Sequence, residues 1–138
     1  MKRYAVIVAG GKSIRMGNDL PKQFQLLKGK PVLMHTIERF HDFDKFIKII
    51  IVLPQMHIEF WSKLCNDFHF GIHHKIVPGG EERFFSVRNG IESIDDENSL
   101  VAIHDGARPL VSKDTIARCF DEAEKYGSAV PVVSPVDS

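Results

Sequence analysis

The stretch Tyr4-Ala5-Val6-Ile7-Val8-Ala9, followed at once by Gly10-Gly11-Lys12-Ser13-Ile14-Arg15-Met16-Gly17, decides the fold of this chain. A short, continuous apolar run rich in β-branched residues is typical of a strand buried on both faces of a parallel sheet. The glycine-rich segment therefore leaves the carboxyl end of a sheet strand, where open α/β folds bind ligands. Adjacent glycines let the backbone approach a ligand closely, and Lys12, Arg15 and Lys22 add positive charge. The segment suits a polyphosphate.

Two better-known glycine loops do not match this segment. A Walker A loop ending in Gly11-Lys12-Ser13 would need its first glycine at position 6, which is Val6. The dinucleotide fingerprint needs glycines at relative positions 1, 3 and 6, whereas the glycines here stand at 10, 11 and 17. Neither a P-loop nor a dinucleotide-binding loop is predicted.

The composition bounds the class of protein. The chain has 138 residues, enough for one domain with a core of its own, and 43% of them are hydrophobic, which argues against disorder. Lys plus Arg equals Asp plus Glu at 18 each, so no global charge favours nucleic acid or a membrane as partner. With no apolar stretch of transmembrane length and a strand that begins at once, we expect a cytoplasmic protein. Cys65 and Cys119 lie on apolar helical stripes and are predicted to be reduced core residues.

Strand-like and helix-like segments alternate along the chain. Continuous apolar runs predict strands at 4–9, 47–53, 74–77, 100–103 and 129–133. Apolar residues at helical spacing predict helices that begin at Pro31, cover 58–68 and 84–94, and follow a capping Ser112. The alternation predicts an α/β, Rossmann-like three-layer sandwich with a mostly parallel, twisted sheet. We expect residues 1–138 to form a single domain, and the uncovered last strand suggests the N-terminal portion of a longer one.

Three polar loops should meet at one edge of that sheet, because the carboxyl ends of parallel strands lie together. The first is the glycine-rich segment, the second is Pro78-Gly79-Gly80-Glu81-Glu82-Arg83 leading to Ser86, and the third is His104-Asp105-Gly106-Ala107-Arg108-Pro109. Taken singly, the second is typical of a tight strand-to-helix turn, and Asp105 could simply cap the turn that follows it. Together they supply backbone donors, cations, a hydroxyl and a carboxylate, and they predict an anion-binding site.

The three blocks resemble those of the 2-C-methyl-D-erythritol 4-phosphate cytidylyltransferase family. The family's blocks usually read A-A-G-x-G-x-R-M-G then P-K-Q, G-G-x-x-R-x-x-S-V-x-x-G, and H-D-A-A-R-P. They correspond here to Ala9 to Gly17 with Pro21-Lys22-Gln23, to Gly79 to Gly90, and to His104 to Pro109. The chain departs from the pattern at Gly10, Ser13 and Gly106. Three blocks in the same order are far more specific than one.

The resemblance implies a fold of the nucleotide-diphospho-sugar transferase type and a nucleotidyltransferase that joins CTP to a polyol phosphate. It assigns Arg15 and Lys22 as catalytic residues that stabilise charge in the transition state. The nucleotide would be contacted by Ala9, Gly10, Gly11, Gly80, Glu81, Ser86, Asp105, Gly106 and Arg108. Phosphoryl transfer generally needs Mg²⁺, and Asp105, at the end of a buried strand, is the predicted ligand, directly or through water.

Family chains continue beyond the point where this sequence stops, and that part carries the dimer-forming arm, so a homodimer is implied if it is present. The expected reaction is transfer to 2-C-methyl-D-erythritol 4-phosphate in the non-mevalonate isoprenoid pathway. Ribitol 5-phosphate is an alternative acceptor, although Ser86-Val87 favours the isoprenoid branch. A hexose 1-phosphate is disfavoured by His104-Asp105, and a nucleotide-binding module without turnover is the alternative from another class.

Overall fold

The computed structural model describes residues 1–10 and 20–129. Its strands and α-helices are, in chain order, β1 (Lys2–Val8), β2 (Leu26–Leu27), β3 (Lys30–Pro31), α1 (Val32–Phe43), β4 (Lys48–Leu53), α2 (Ile58–Asp67), β5 (Lys75–Pro78), α3 (Arg83–Glu92), β6 (Ser99–Asp105) and α4 (Lys113–Tyr126). Short 3₁₀ turns cover Lys22–Phe24 and Gln55–His57. The predicted strand at 129–133 falls almost wholly on residues outside these ranges.

The central sheet is parallel, with the strand order β5-β4-β1-β6. The chain moves outward from β1 through β4 to β5 and then crosses back to place β6 on the other side of β1. The carboxyl ends of β1 and β6 therefore flank the point where the strand order reverses. This topological switch point is where doubly wound sheets bind ligands. The separate β2–β3 pair is a small antiparallel hairpin beside it.

Both faces of the sheet are covered, as the alternating side chains of buried strands require. One face, with Ile7 and Ile51, packs against α1, α2 and α4. The other, with Val6 and Val52, packs against residues of α3 and the segments that flank it. Right-handed crossovers account for this division. The connections from β1 to β4 and from β4 to β5 run in one direction along the sheet and place α1 and α2 on one face. The connection from β5 to β6 runs in the other direction and places α3 on the opposite face. The predicted α/β three-layer arrangement is confirmed.

Helix α3 follows its sequence prediction only in part, since Val87 of α3 and Ile94 just beyond it pack against the sheet. Phe84 is 67% exposed and Ile91 is 42% exposed, although helical spacing placed both on the buried face. The buried residues of α3 are instead Ser86 and Gly90. The reason is close packing, since a Cβ at Gly90 would lie 2.6 Å from Val6 Cγ1. Small residues let the backbone of α3 approach the sheet and leave the large ones outside.

The cap predicted for the fourth helix is confirmed. Ser112 caps α4, with its Oγ accepting a hydrogen bond from the Thr115 backbone N–H at 3.0 Å. Gly127 ends the same helix in the left-handed conformation. Cys65 and Cys119 are free thiols and are partly buried. Within the described part of the chain, we find no helix with the length and apolar character needed to cross a bilayer.

Candidate active site

A cleft of about 580 Å³ lies at the carboxyl edge of the sheet, beside the switch point. It brings together the ends of β1 and β6, the 3₁₀ turn at 22–24 and the first turn of α3. Its lining residues are Val8, Gly10, Lys22, Gln23, Pro54, Gly80, Glu81, Glu82, Arg83, Ser86, Asp105 and Ala107. All three sequence blocks thus contribute to one cavity. A larger cavity of about 790 Å³ lies at the opposite, amino edge and contains residues of none of these blocks.

The turn that carries Lys22 is anchored by the two residues that follow the lysine. Gln23 is buried, and its side-chain amide donates a hydrogen bond of 2.9 Å to the Ala9 carbonyl at the end of β1. Phe24 is 2% exposed, and its ring stacks on Trp61 and meets the edge of His57. Two buried neighbours therefore hold the Lys22 backbone in place beside the cleft. No role was predicted for Gln23 from the sequence, although it follows Pro21-Lys22.

Ala9 and Gly10 have different positions at the end of β1. The Ala9 N–H donates to the Val52 carbonyl at 2.9 Å, and the Ala9 carbonyl accepts from Gln23. Both backbone groups of Ala9 are therefore already paired, and the residue is almost fully buried. Gly10 is exposed and lines the cleft. Gly11 and Arg15, the other residues predicted in this loop, lie outside the described residues.

The Gly79–Gly80 turn is fixed between β5 and α3. The Gly79 N–H donates to the Leu53 carbonyl at 2.7 Å, and the Gly80 N–H donates to Ser86 Oγ at 3.2 Å. A Cβ at Gly79 would lie 2.7 Å from Ser86 Oγ, so this approach requires glycine. Ser86 is only 5% exposed, and because its hydroxyl oxygen accepts from Gly80, its own hydrogen can still be donated into the cleft.

The end of β6 is tied to the end of β1 and to helix α1. The Gly106 N–H donates to the Val8 carbonyl at 2.8 Å. The Gly106 carbonyl accepts from Thr36 Oγ1 at 2.8 Å, and Thr36 is fully buried. Thr36 was not predicted as a site residue. The available signal was a polar residue inside the apolar stripe formed by Leu33 and Ile37 of α1.

Asp105 both forms a local turn and faces the cleft. Its Oδ1 accepts the Ala107 N–H at 3.0 Å, which is the capping arrangement that the sequence left open. Its Oδ2 lies 3.5 Å from Arg108 Nε. Arg108 has 77% of its side chain exposed, so this ion pair is weak and easily exchanged. Arg108 therefore lies at the outer side of the cleft rather than inside it.

The donor set of the cleft fits Mg²⁺ bound together with a polyphosphate. Asp105 supplies a single partly exposed carboxylate, and Mg²⁺ typically takes one or two carboxylates and completes its shell with phosphate and water oxygens. Among residues 1–10 and 20–129 there is no group of three His, Cys, Asp or Glu side chains that could hold a metal by themselves. Any metal bound here would thus share its ligands with a substrate.

Two histidines behind the Lys22 turn are held neutral. Burial lowers the pKa of His57, and neither of its ring nitrogens has a hydrogen-bond partner. Burial also lowers the pKa of His74, whose Nε2 accepts from Trp61 Nε1 at 3.0 Å while its Nδ1–H donates to the Ile72 carbonyl at 2.9 Å. A proton on His74 Nε2 would face the Trp61 N–H and break that hydrogen bond. The ring contacts among Phe24, His57, Trp61 and His74 are therefore made with both imidazoles in the neutral form.

Comparison with known proteins identifies the family to which the chain is similar. The family model described as IspD, 2-C-methyl-D-erythritol 4-phosphate cytidylyltransferase, matches residues 4–138. The cytidylyltransferase of that name from Bacteroides thetaiotaomicron is 48% identical over 138 residues, which are 100% of this chain and 63% of the relative. The one from Porphyromonas gingivalis is 53% identical over 130 residues, 94% of this chain and 57% of the relative. The chain thus spans less than two thirds of the length of these relatives.

Solved structures agree on the fold. The 4-diphosphocytidyl-2C-methyl-D-erythritol synthase of Anaerococcus prevotii superposes with a TM-score of 0.72 at 20% identity, covering 97% of this chain and 60% of that one. The bifunctional IspDF of Campylobacter jejuni superposes with a TM-score of 0.72 at 27% identity, covering 91% of this chain and 31% of that one. With the family model matching nearly every residue, this chain belongs to the 2-C-methyl-D-erythritol 4-phosphate cytidylyltransferase family.

Proposed function

We propose that this protein transfers the cytidylyl group of CTP to 2-C-methyl-D-erythritol 4-phosphate and releases pyrophosphate. An oxygen of the acceptor phosphate forms a bond to the α-phosphorus of CTP, and the bond from that phosphorus to the bridging oxygen of the β-phosphate breaks. The observation that carries the proposal is the meeting of Gly10, Lys22, Gly80, Ser86 and Asp105 around one cleft at the switch point. Membership of the family supplies the nucleotide and the acceptor.

The cations of the cleft would bind the phosphates. The buried neighbours of Lys22 fix its backbone at the cleft, and its exposed side chain brings a positive charge there. Negative charge accumulates on the phosphate oxygens as the reaction proceeds, and a prearranged cation stabilises it without reorganisation. Arg15 is proposed for the same task because of its place in the family motif. Two anions that repel each other must also be aligned, and a fixed cradle contributes to that alignment.

The Gly79–Gly80 turn would bind the base. Gly80, Glu81 and Ser86 all line the cleft on that side. The free hydroxyl hydrogen of Ser86 matches the acceptor atoms on the edge of cytosine. Gly106 would act indirectly, by holding the end of β6 against β1.

Asp105 would hold Mg²⁺ with the triphosphate, and when bound the ion neutralises phosphate charge and orients the leaving group. The Arg108 guanidinium, which lies against Asp105 Oδ2, would move aside and face the nucleotide or the acceptor. We also propose a cytoplasmic location, on the composition of the chain and its reduced cysteines, and a homodimer, on the family resemblance. Light scattering of the purified protein tests the second.

The proposal is tested by incubating the protein with Mg²⁺, each nucleoside triphosphate and a panel of polyol phosphates while pyrophosphate release is followed. CTP with 2-C-methyl-D-erythritol 4-phosphate should react fastest. Arg15→Ala and Lys22→Ala should each lower turnover by at least about a hundredfold, the scale for removing one charge-stabilising group. Faster reaction with ribitol 5-phosphate, or equal rates in parent and variants, would contradict the proposal.

A further inference from the structure

We propose that Phe85 and Arg88 form a positioning pair that holds the Gly79–Gly80 turn in its nucleotide-binding shape and thereby sets the affinity for CTP. The inference rests on the proposed function, because it takes that turn as the base-binding element. Neither residue lines the cleft itself. Both would therefore act through Gly80 and would not touch the reacting atoms.

Phe85 packs directly onto Gly80. A Cβ built on Gly80 would lie 2.3 Å from Phe85 Cβ and 3.4 Å from Phe85 Cγ. The backbone of the turn therefore rests against the base of the phenylalanine side chain. Hydrogen bonds to the Leu53 carbonyl and to Ser86 Oγ hold the turn as well, so Phe85 adds a packing contact to them.

Arg88 keeps the Phe85 ring in place. Its guanidinium carbon lies 4.9 Å from the ring centroid, one helical turn further along α3. Within residues 1–10 and 20–129, Arg88 makes no ion pair, so the ring is its identified partner. The Phe84 ring meets Phe85 edge-on at 5.3 Å. An aromatic ring covered by a cation on an otherwise exposed helix surface has little to contribute to the core.

The position of Phe85 on α3 supports a local role. The residue is 37% exposed, and α3 contacts the sheet through Ser86, Val87 and Gly90 instead. Its ring is thus not needed to bury the helix. What it does contact is the turn that supplies Gly80 to the cleft, directly beside the Ser86 hydroxyl.

The size of the effect follows from the strength of the contact. If the turn occupies its binding-competent shape for a smaller fraction of the time, the apparent affinity for the nucleotide falls by that fraction. An exposed cation–π contact corresponds to about a two- to fivefold change in an equilibrium constant. We therefore expect Arg88→Gln to weaken CTP binding by about that factor, and Phe85→Ala to weaken it by more.

The test uses these two variants with a rescue and a control. Phe85→Ala keeps the Cβ that touches Gly80 and removes only the ring, whereas Phe85→Tyr keeps a ring for Arg88. Phe46→Ala removes an equal side chain that is 91% exposed at the other edge of the sheet. Two quantities are measured for each, the hydrogen-exchange rate of the Gly80 amide by NMR without ligand and the dissociation constant of CTP by calorimetry.

We expect faster Gly80 exchange and weaker CTP binding in Arg88→Gln and Phe85→Ala, parent values in Phe85→Tyr and Phe46→Ala, and an unchanged kcat wherever turnover is measured. Unchanged Gly80 exchange in Arg88→Gln, a surface variant that leaves the core intact, would overturn the inference. So would faster exchange with an unchanged dissociation constant. The proposed function fails by a different result, the absence of pyrophosphate release from the parent protein.

Discussion

Replacing Thr36 with valine should loosen the end of β6 and weaken nucleotide binding. Thr36 Oγ1 donates at 2.8 Å to the carbonyl of Gly106, the residue that follows Asp105, and both ends of the bond are buried. Valine has the same shape and nearly the same helix propensity, so the substitution removes the hydrogen bond and little else. The Gly106 carbonyl would then be buried without its donor.

The expected loss of stability is about 1–3 kcal/mol, the penalty for one buried polar group left unsatisfied. For a domain of this size that corresponds to a fall in Tm of about 3–10 °C. Thr36→Ser is the matched control, because it keeps the hydroxyl and removes a methyl group, at a cost of about 1 kcal/mol. Only the valine variant should also release the Asp105–Gly106 segment and raise the dissociation constant of CTP.

Thermal unfolding and CTP titration of the two variants test this reasoning. We expect the serine variant to bind CTP like the parent at a temperature where both are folded, and the valine variant to bind more weakly. If Thr36→Val is as stable as the parent, or if both variants bind CTP equally well, the hydrogen bond to Gly106 does not position the site.

Three further outcomes are expected. Gly90→Ala should destabilise the fold by up to about 2 kcal/mol in denaturant unfolding, because overpacking against the sheet, about 1–3 kcal/mol, outweighs the gain in helix propensity of about 1 kcal/mol. Gly71→Ala, whose Cβ would meet nothing within 4 Å, is its control and should change stability little. Because the pKa values of His57 and His74 are lowered in the folded protein, the unfolded chain binds more protons than the folded one. The contribution of these histidines to the free energy of unfolding should therefore be complete above the ordinary pKa of 6.5 and should decrease as the pH falls below it. His57→Leu should reduce the dependence of the free energy of unfolding on pH, as measured by unfolding curves. An unchanged slope would show that His57 does not titrate on unfolding. Lys22→Ala should strongly lower kcat and leave the Tm close to that of the parent. A large decrease in both kcat and Tm would mean that the lysine acts on the fold.

The sequence predicts the layers of this fold well because β1 and β4 are continuous β-branched runs, whose burial on both faces can be recognised without knowing their neighbours. The convergence of Gly10, Gly80 and Asp105 follows in the same way from the rule that strand ends share an edge. A pattern that lies within one segment is thus enough to identify a buried strand, and the shared edge of the strands then predicts which loops meet.

Individual side-chain contacts between distant segments were not predictable, although the meeting of their strand ends was. Thr36 and Gly106 are separated by 70 positions, and their hydrogen bond depends on how α1 packs against the sheet. The exposure of Phe84 has the same origin, since helical spacing favoured the large residues as the buried face. Only the close approach at Gly90, seen in three dimensions, shows that Ser86 and Gly90 join Val87 in the contact with the sheet and that Phe84 stays outside it.

The most direct measurement of the central claim is a crystal structure of the protein with CTP and Mg²⁺. We predict that the triphosphate lies against Gly10 and Lys22, with Asp105 on the side of the metal and the base against Gly80. Density for the nucleotide in the cavity at the amino edge of the sheet, or nowhere on the protein at saturating CTP, would contradict the assignment of this cleft.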